Sequence, residues 1–243
     1  MGLGWVDGSP VFDFGMIACL QRGFHELMRL FMQCSHEENF EWLNHQDDGK
    51  TVIKIANPKS LEFQVVRTTL IPGLLKCIRE NRSHSLPIKV FETSEVAFKD
   101  TSRERQARNE RRAAAVWCNK TAGFEVIHGL LDRAMKMLEI PRIRSDDQKA
   151  ATGYYLKEAS GMLFIPCLPS GDPHWLTDTA FFPDRAATIH YRAPDQSDVE
   201  IGTLGILHPT VLEKFEIGFP CSALEFTLEP FKKQMPKIWT YDE

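Results

Sequence analysis

Pro72 constrains this chain more than any other residue. A proline inside a helix costs roughly 3 kcal/mol, but in the first turn its missing N–H has no intrahelical partner to lose. Around it the sequence runs Arg67-Thr68-Thr69-Leu70-Ile71-Pro72-Gly73-Leu74-Leu75-Lys76-Cys77-Ile78-Arg79-Glu80-Asn81-Arg82. That pattern predicts a helix with Thr69 as N-cap and Pro72 in its first turn. Ile71, Leu74, Leu75 and Ile78 share one face, and Lys76, Arg79 and Arg82 gather where the helix dipole favours cations. Upstream, Pro58 pushes Asn57 out of the helical region and marks a polar loop from Asn57 to Phe63. Downstream, Pro87 stops any continuation. Ile88, Val90, Ser94 and Val96 then alternate with Lys89, Phe91, Thr93, Glu95 and Ala97 as a strand.

The remaining segments are read around this helix–turn–strand unit. Ile17, Leu20, Phe24, Leu27, Leu30 and Phe31 recur at helical spacing between Phe14 and Met32, as one amphipathic helix or two split near Gly23. Ser35 with Glu38 is a capping box that starts a short helix through Leu43. A strand over Thr51–Ala56 leads to the polar loop. Lys99 to Arg112 holds six basic and three acidic residues and reads either as an RNA-facing loop or as a solvated connector. Ala113–Cys118 is a strand, and Thr121 opens a helix whose stripe is Phe124, Ile127, Leu131 and Leu138. His128 beside that stripe reads as a hydrogen-bonded core residue rather than a catalyst. Strands follow over Gly153–Lys157, Ala186–Arg192, Ile201–Leu207 and Ala223–Leu228, with an irregular stretch from Met162 to Pro173. Pro209 opens a helix after His208. Strands joined by turns with few helices between them argue an α+β fold on a mainly antiparallel sheet.

Composition narrows the function. Of 243 residues 43% are hydrophobic, as in a soluble globular protein, and the net charge of −4 supplies no general field for nucleic acid. The six cysteines are scattered without a C-x-x-C pair, which predicts reduced packing thiols and no metal site. No apolar run approaches the roughly 20 residues of a membrane span, so a cytoplasmic protein is expected. No phosphate-cradling glycine loop and no Ser–His–Asp motif occurs.

Several stretches together carry a family resemblance. These are Asn57–Lys59, Arg67–Leu75, Val90–Glu92, Asn119–Arg133, Phe181–Ala187, Gly202–Pro209 and Pro220–Glu225. In this order they closely resemble the β subunit of phenylalanyl-tRNA synthetase, eukaryotic cytosolic type. The resemblance implies a catalytic-like core module over residues 23–231, with residues 1–22 an unassigned tail or linker and 232–243 a C-terminal tail. It implies a class II aminoacyl-tRNA synthetase-like antiparallel sheet flanked by helices, the Pro72 helix and its strand standing near the first conserved motif. It further implies a non-catalytic module that supports attachment of phenylalanine to tRNA(Phe), assembles with the α subunit as (αβ)₂ and helps dock tRNA. ATP and Mg would then be used by the holoenzyme and no cofactor by this chain. The editing and metal-binding modules of full-length β subunits precede the matched region and do not carry over. A fragment, a truncated paralogue and an incomplete gene product all remain open.

Active class II members place one arginine on a central strand and another after a glycine-rich turn, because gathering phosphate charge must be neutralised. Here the strand from Ile88 offers Glu92, Glu95 and only Lys89, and Phe219-Pro220-Cys221-Ser222 occupies the position of the turn. No catalytic residue is therefore expected. Arg67 pairs with Glu92, either as a local ion pair or as an anchor for a subunit interface. Arg185 touches RNA or fixes a turn, and Glu225 is outward-facing or paired. Ile71, Pro72, Leu74, Leu75 and Ile78 are expected to bury against a partner helix. The alternatives are a free-standing binding module and a minimal class II adenylate-forming enzyme.

Overall fold

The computed structural model describes residues 24–26, 32–145, 152–159, 180–195 and 197–231. Nine strands and four α-helices follow in chain order among them. They are β1 (His25–Glu26), β2 (Gln33–Cys34), α1 (His36–Asn39), β3 (Val65–Val66), α2 (Ile71–Glu80), β4 (Ile88–Lys99), β5 (Ala107–Cys118) and α3 (Phe124–Met137). After them come β6 (Gly153–Glu158), β7 (Phe181–Arg192), β8 (Asp198–Leu207), α4 (Pro209–Lys214) and β9 (Cys221–Thr227). Seven strands form one sheet in the order β1-β4-β5-β9-β8-β7-β6, antiparallel except where β1 joins β4. The α+β expectation holds.

Helices cover both faces of that sheet. On one face α2 and α4 bury Leu74, Leu75, Ile78, Val211 and Phe215 against Val90, Val96, Phe98, Ala114, Val116 and Leu207. On the other, α3 buries Ile127, Leu130, Leu131, Ala134 and Met135 against Phe91, Ala115, Leu204, Leu224 and Phe226. Along β4 and β5 the period-2 alternation divides side chains between the two cores, so both faces can be apolar at once. Gly202 permits the close packing of β8 on β9, since a Cβ there would lie 2.2 Å from the Glu225 carbonyl oxygen.

Several local expectations need correction. Helix α2 begins at Ile71 with Leu70 as N-cap rather than Thr69, whose hydroxyl still accepts from the Ile71 amide at 3.3 Å. The capping box of Ser35 is present, its hydroxyl accepting from the Glu38 amide at 3.1 Å. However, α1 stops at Asn39 and a separate 3-10 turn spans Glu41–Leu43. Thr51–Ala56 contributes one isolated bridge at Lys54 instead of a strand. The helix expected between Phe14 and Met32 lies mostly outside the described residues, and within them His25–Glu26 is a strand paired to β4. The Met162–Pro173 stretch and both tails lie largely or wholly outside the described residues.

The largest correction concerns the stripe of α2. Ile71, Leu74, Leu75 and Ile78 are exposed by 2% or less, and Pro72 is buried as well. The expectation that they bury against a partner helix fails on this geometry, because the chain's own β4 and β5 already cover them. A ten-residue helix is marginal alone and takes the nearest apolar surface, which is the hairpin that follows it. Its flank is occupied too, with Lys76 Nζ 2.8 Å from Glu38 Oε1 of α1.

Candidate functional site

Charged side chains are concentrated beneath the N-terminus of α2, on the sheet face that the helix covers. Register places Glu92, Ala114, Glu225 and Thr203 in one row across β4, β5, β9 and β8, with Ser94 beside Arg112 in the next. Glu92, Glu225, Arg67 and Arg112 are all under 5% exposed. Ionised groups so deeply buried survive only when paired and hydrogen-bonded.

Arg67, just before the helix, uses all three guanidinium nitrogens. Nη1 donates to Glu92 Oε1 at 2.7 Å, Nη2 to Ser94 Oγ at 2.6 Å, and Nε to the Glu95 carbonyl at 3.2 Å. Its backbone is fixed as well, the carbonyl accepting from the Ala97 amide at 3.2 Å. The Arg67–Glu92 pair read from sequence is therefore present, and it is internal to the chain.

Glu225 of β9 is the second centre. Its carboxylate accepts from Thr69 Oγ1 at 2.5 Å and from the Leu70 amide at 3.2 Å, and so caps α2 across the fold. An anion here also meets the positive end of the helix dipole. Arg112 Nη1 donates to the same carboxylate at 3.3 Å, and its Nε and Nη2 bind Glu110 Oε1 at 2.9 and 2.7 Å. Its guanidinium lies over the Phe98 ring, 5.5 Å from the centroid. Of the two readings of Glu225, the paired one is correct.

Sequence reasoning missed Arg112. The strand expected from Ala113 begins six residues earlier, at Ala107, so half of the charged connector belongs to the sheet. Alternation of Arg108, Glu110 and Arg112 on one side was the available signal, and mixed charge concealed it. Only Asp100–Gln106 forms the turn, which places Arg103 and Arg105 at an exposed hairpin tip.

The other candidates sit apart. Arg185 is exposed at the register shift between Phe181 and Ala186, next to Asp184 at φ 57°, so it marks an irregular bend in β7. His128 Nδ1 is 3.5 Å from Asp132 Oδ2 and its ring stacks on Phe124. Tyr154 donates to Asp132 at 2.6 Å, and burial followed by that bond pushes its phenol upward. His208 caps α4, its Nδ1 accepting from the Thr210 amide at 3.2 Å. At the far edge, Arg192 Nε donates to Asp198 Oδ1 at 2.9 Å and holds that carboxyl below its ordinary value.

The chemistry of this arrangement is charge neutralisation. Arg67 and Arg112 stand against Glu92, Glu110 and Glu225, so the two deeply buried guanidiniums are already committed to carboxylates. A site that holds phosphates needs cations aimed at an open cleft, whereas these lie beneath a packed helix. Among the described residues no group of three or more His, Cys, Asp or Glu is placed to hold a metal ion. No helix there is long and apolar enough to cross a membrane.

Comparison with known proteins agrees with this architecture. Residues 17–228 match a family model described as the phenylalanyl tRNA synthetase beta chain CLM domain. The chain is 46% identical over 207 residues to the phenylalanine–tRNA ligase beta subunit of Schizosaccharomyces pombe, covering 85% of this chain and 32% of that protein. The Drosophila melanogaster beta subunit is 47% identical over 211 residues, with coverage of 87% and 31%. An Arabidopsis thaliana relative named as the cytoplasmic beta subunit is 38% identical, with coverage of 82% and 30%. The chain thus spans about a third of the length of these relatives. A pyrrolysyl tRNA synthetase from Desulfitobacterium hafniense shares the fold at a TM-score of 0.62 and 15% identity, over 91% of this chain and 64% of that one.

Proposed function

The chain belongs to the phenylalanyl tRNA synthetase beta-chain family, and from that premise we propose that it is a non-catalytic β-subunit module of phenylalanine–tRNA ligase. In this reading it supports attachment of phenylalanine to tRNA(Phe) by assembling with a catalytic α subunit. ATP and magnesium are handled by the α subunit, and the complete assembly is (αβ)₂ in the cytoplasm. The observation that carries the proposal is the neutralised network: the guanidiniums of Arg67 and Arg112 are tied to Glu92, Glu110 and Glu225 beneath α2. Catalytic members of the fold need such cations free to meet phosphate charge. Here both guanidiniums are held in buried ion pairs.

The contact with α must use a surface other than the stripe of Ile71, Leu74, Leu75 and Ile78, which the chain's own core consumes. Two measurements test the proposal together. The purified chain should show no phenylalanine-dependent ATP–pyrophosphate exchange, and it should co-purify with the α subunit when the two are co-expressed. Exchange by the chain alone would instead support a minimal adenylate-forming enzyme. Inactivity with no capture of α would support a free-standing binding module.

A further inference from the structure

Cys118 is the last residue of β5 and Cys221 the first of β9, and register makes them direct cross-strand partners. Sequence places them far apart, but the fold sets them directly opposite each other on one buried face of the sheet, where the Cys221 thiol donates to the Phe219 carbonyl at 3.5 Å. Antiparallel ladders alternate between hydrogen-bonded pairs and closer pairs without backbone bonds. The Asn119 amide donates to the Pro220 carbonyl at 3.3 Å, so 119/220 is a bonded pair and 118/221 is one of the closer kind. In such pairs the Cα atoms lie about 4.5 Å apart, inside the range that a disulfide spans. Both thiols are free in the structure.

We propose that Cys118 and Cys221 form a reversible cross-strand disulfide that locks β5 to β9 under oxidising conditions. The partner chemistry is a low-molecular-weight disulfide of the glutathione type. The Cys118 thiolate attacks one sulfur of that disulfide, whose S–S bond breaks and releases one thiol. The Cys221 thiolate then attacks the Cys118 sulfur and expels the second thiol. Two protein thiols are oxidised, one small disulfide is reduced to two thiols, and the two protons pass to the departing sulfurs. Polarity between the partners suits this order: the neighbouring Cys221 holds the Cys118 thiol below its ordinary value, while Cys118 and burial push Cys221 up.

Access comes from the end of the sheet. The thiols are 1% and 0% exposed, so exchange requires local opening. Pro220 has no N–H, which leaves the pair beyond the cysteines closed by a single hydrogen bond, and the adjoining Phe219 is 41% exposed. Fraying of that strand end would expose the thiols.

The test incubates the full 243-residue chain with oxidised glutathione for hours. It is then quenched with an alkylating agent and mapped by mass spectrometry without reduction. A peptide pair joined through Cys118 and Cys221 should dominate and should vanish on reduction, and the oxidised protein should melt roughly 5–10 °C higher. Recovery of both cysteines as alkylated thiols would overturn the proposal, as would bridges that engage Cys34 or Cys77 instead. A linked form that melts lower than the reduced one would overturn the lock. Cys221→Ser should trap Cys118 as a glutathione adduct, and since the wild-type map is decisive by itself, poor folding of that variant leaves the answer intact.

Discussion

Arg67 and Glu92 are held in a geometry that makes either one costly to remove alone. Their 2.7 Å contact is sealed under α2, so deleting the cation strands a buried anion. We expect Arg67→Met to cost about 3–5 kcal/mol in urea unfolding, with Arg67→Met/Glu92→Leu recovering most of that loss. An exposed pair such as Arg79–Glu80 should contribute under about 1 kcal/mol, and comparable losses at the two sites would contradict the buried network. His45 gives a pH dependence of known sign. Its Nε2 is sealed from solvent, and burial lowers the imidazole from 6.5 to about 4. The folded value lies below the unfolded one, so the neutral ring belongs to the native state. Stability is complete above about pH 6.5, erodes as the pH falls and has lost about 3 kcal/mol near pH 4. Burial alone raises the Asp47 and Asp48 carboxyls, but hydrogen bonds from His36 and Thr51 outweigh it, and both finish below 3.8. Their contribution is lost only under that window, so His45→Gln should flatten the stability curve between pH 6.5 and 4.

At the scale of elements, α2 and the β4–β5 hairpin are one unit. Leu75 is 0% exposed in the core they share, so Leu75→Glu should abolish the cooperative melt seen by circular dichroism rather than leave a folded chain. Leu75→Ala should cost about 2–5 kcal/mol through the cavity it opens. A Leu75→Glu variant that melts like the wild type would show that the stripe is not core. The strand contact at Gly202 sets a second expectation. A Cβ there would lie 2.2 Å from the Glu225 carbonyl oxygen and 2.5 Å from Phe226 Cα, so neither obstacle is a flexible side-chain end. Gly202→Ala should therefore push β8 from β9 and lower the melting temperature by several degrees. An unchanged melting point would show that the strands separate freely.

Taken whole, the molecule is a sheet with helices on both faces, and its polar interior serves packing. Glu225 illustrates how this works, since it belongs to the closing strand and yet caps a helix 155 residues earlier in the chain. Arg112 joins that carboxylate to Glu110, so β5, β9 and the start of α2 are fixed by one set of charges. Buried charges thus hold together three elements that are far apart in the chain. The exposed tip of the β4–β5 hairpin, with Arg103 and Arg105, lies outside that network, and neutralising both arginines should leave stability within about 0.5 kcal/mol.

What the sequence determined by itself was periodic and local. Pro72 fixed the start of α2 to within a residue or two, alternation revealed β4, and Ser35 with Glu38 marked α1. The Arg67–Glu92 pair was also legible, because the turn before β4 brings the two ends of one short unit together. Long-range order decided the rest. No local signal joins Glu225 to Thr69, Arg112 to Glu225, or Cys118 to Cys221, since those contacts exist only once β9 has inserted between β5 and β8. The apolar stripe of α2 was equally plain in the sequence, but an amphipathic face records only that something covers it. Which surface does so depends on what the folded chain brings closest, and here that is the chain's own hairpin.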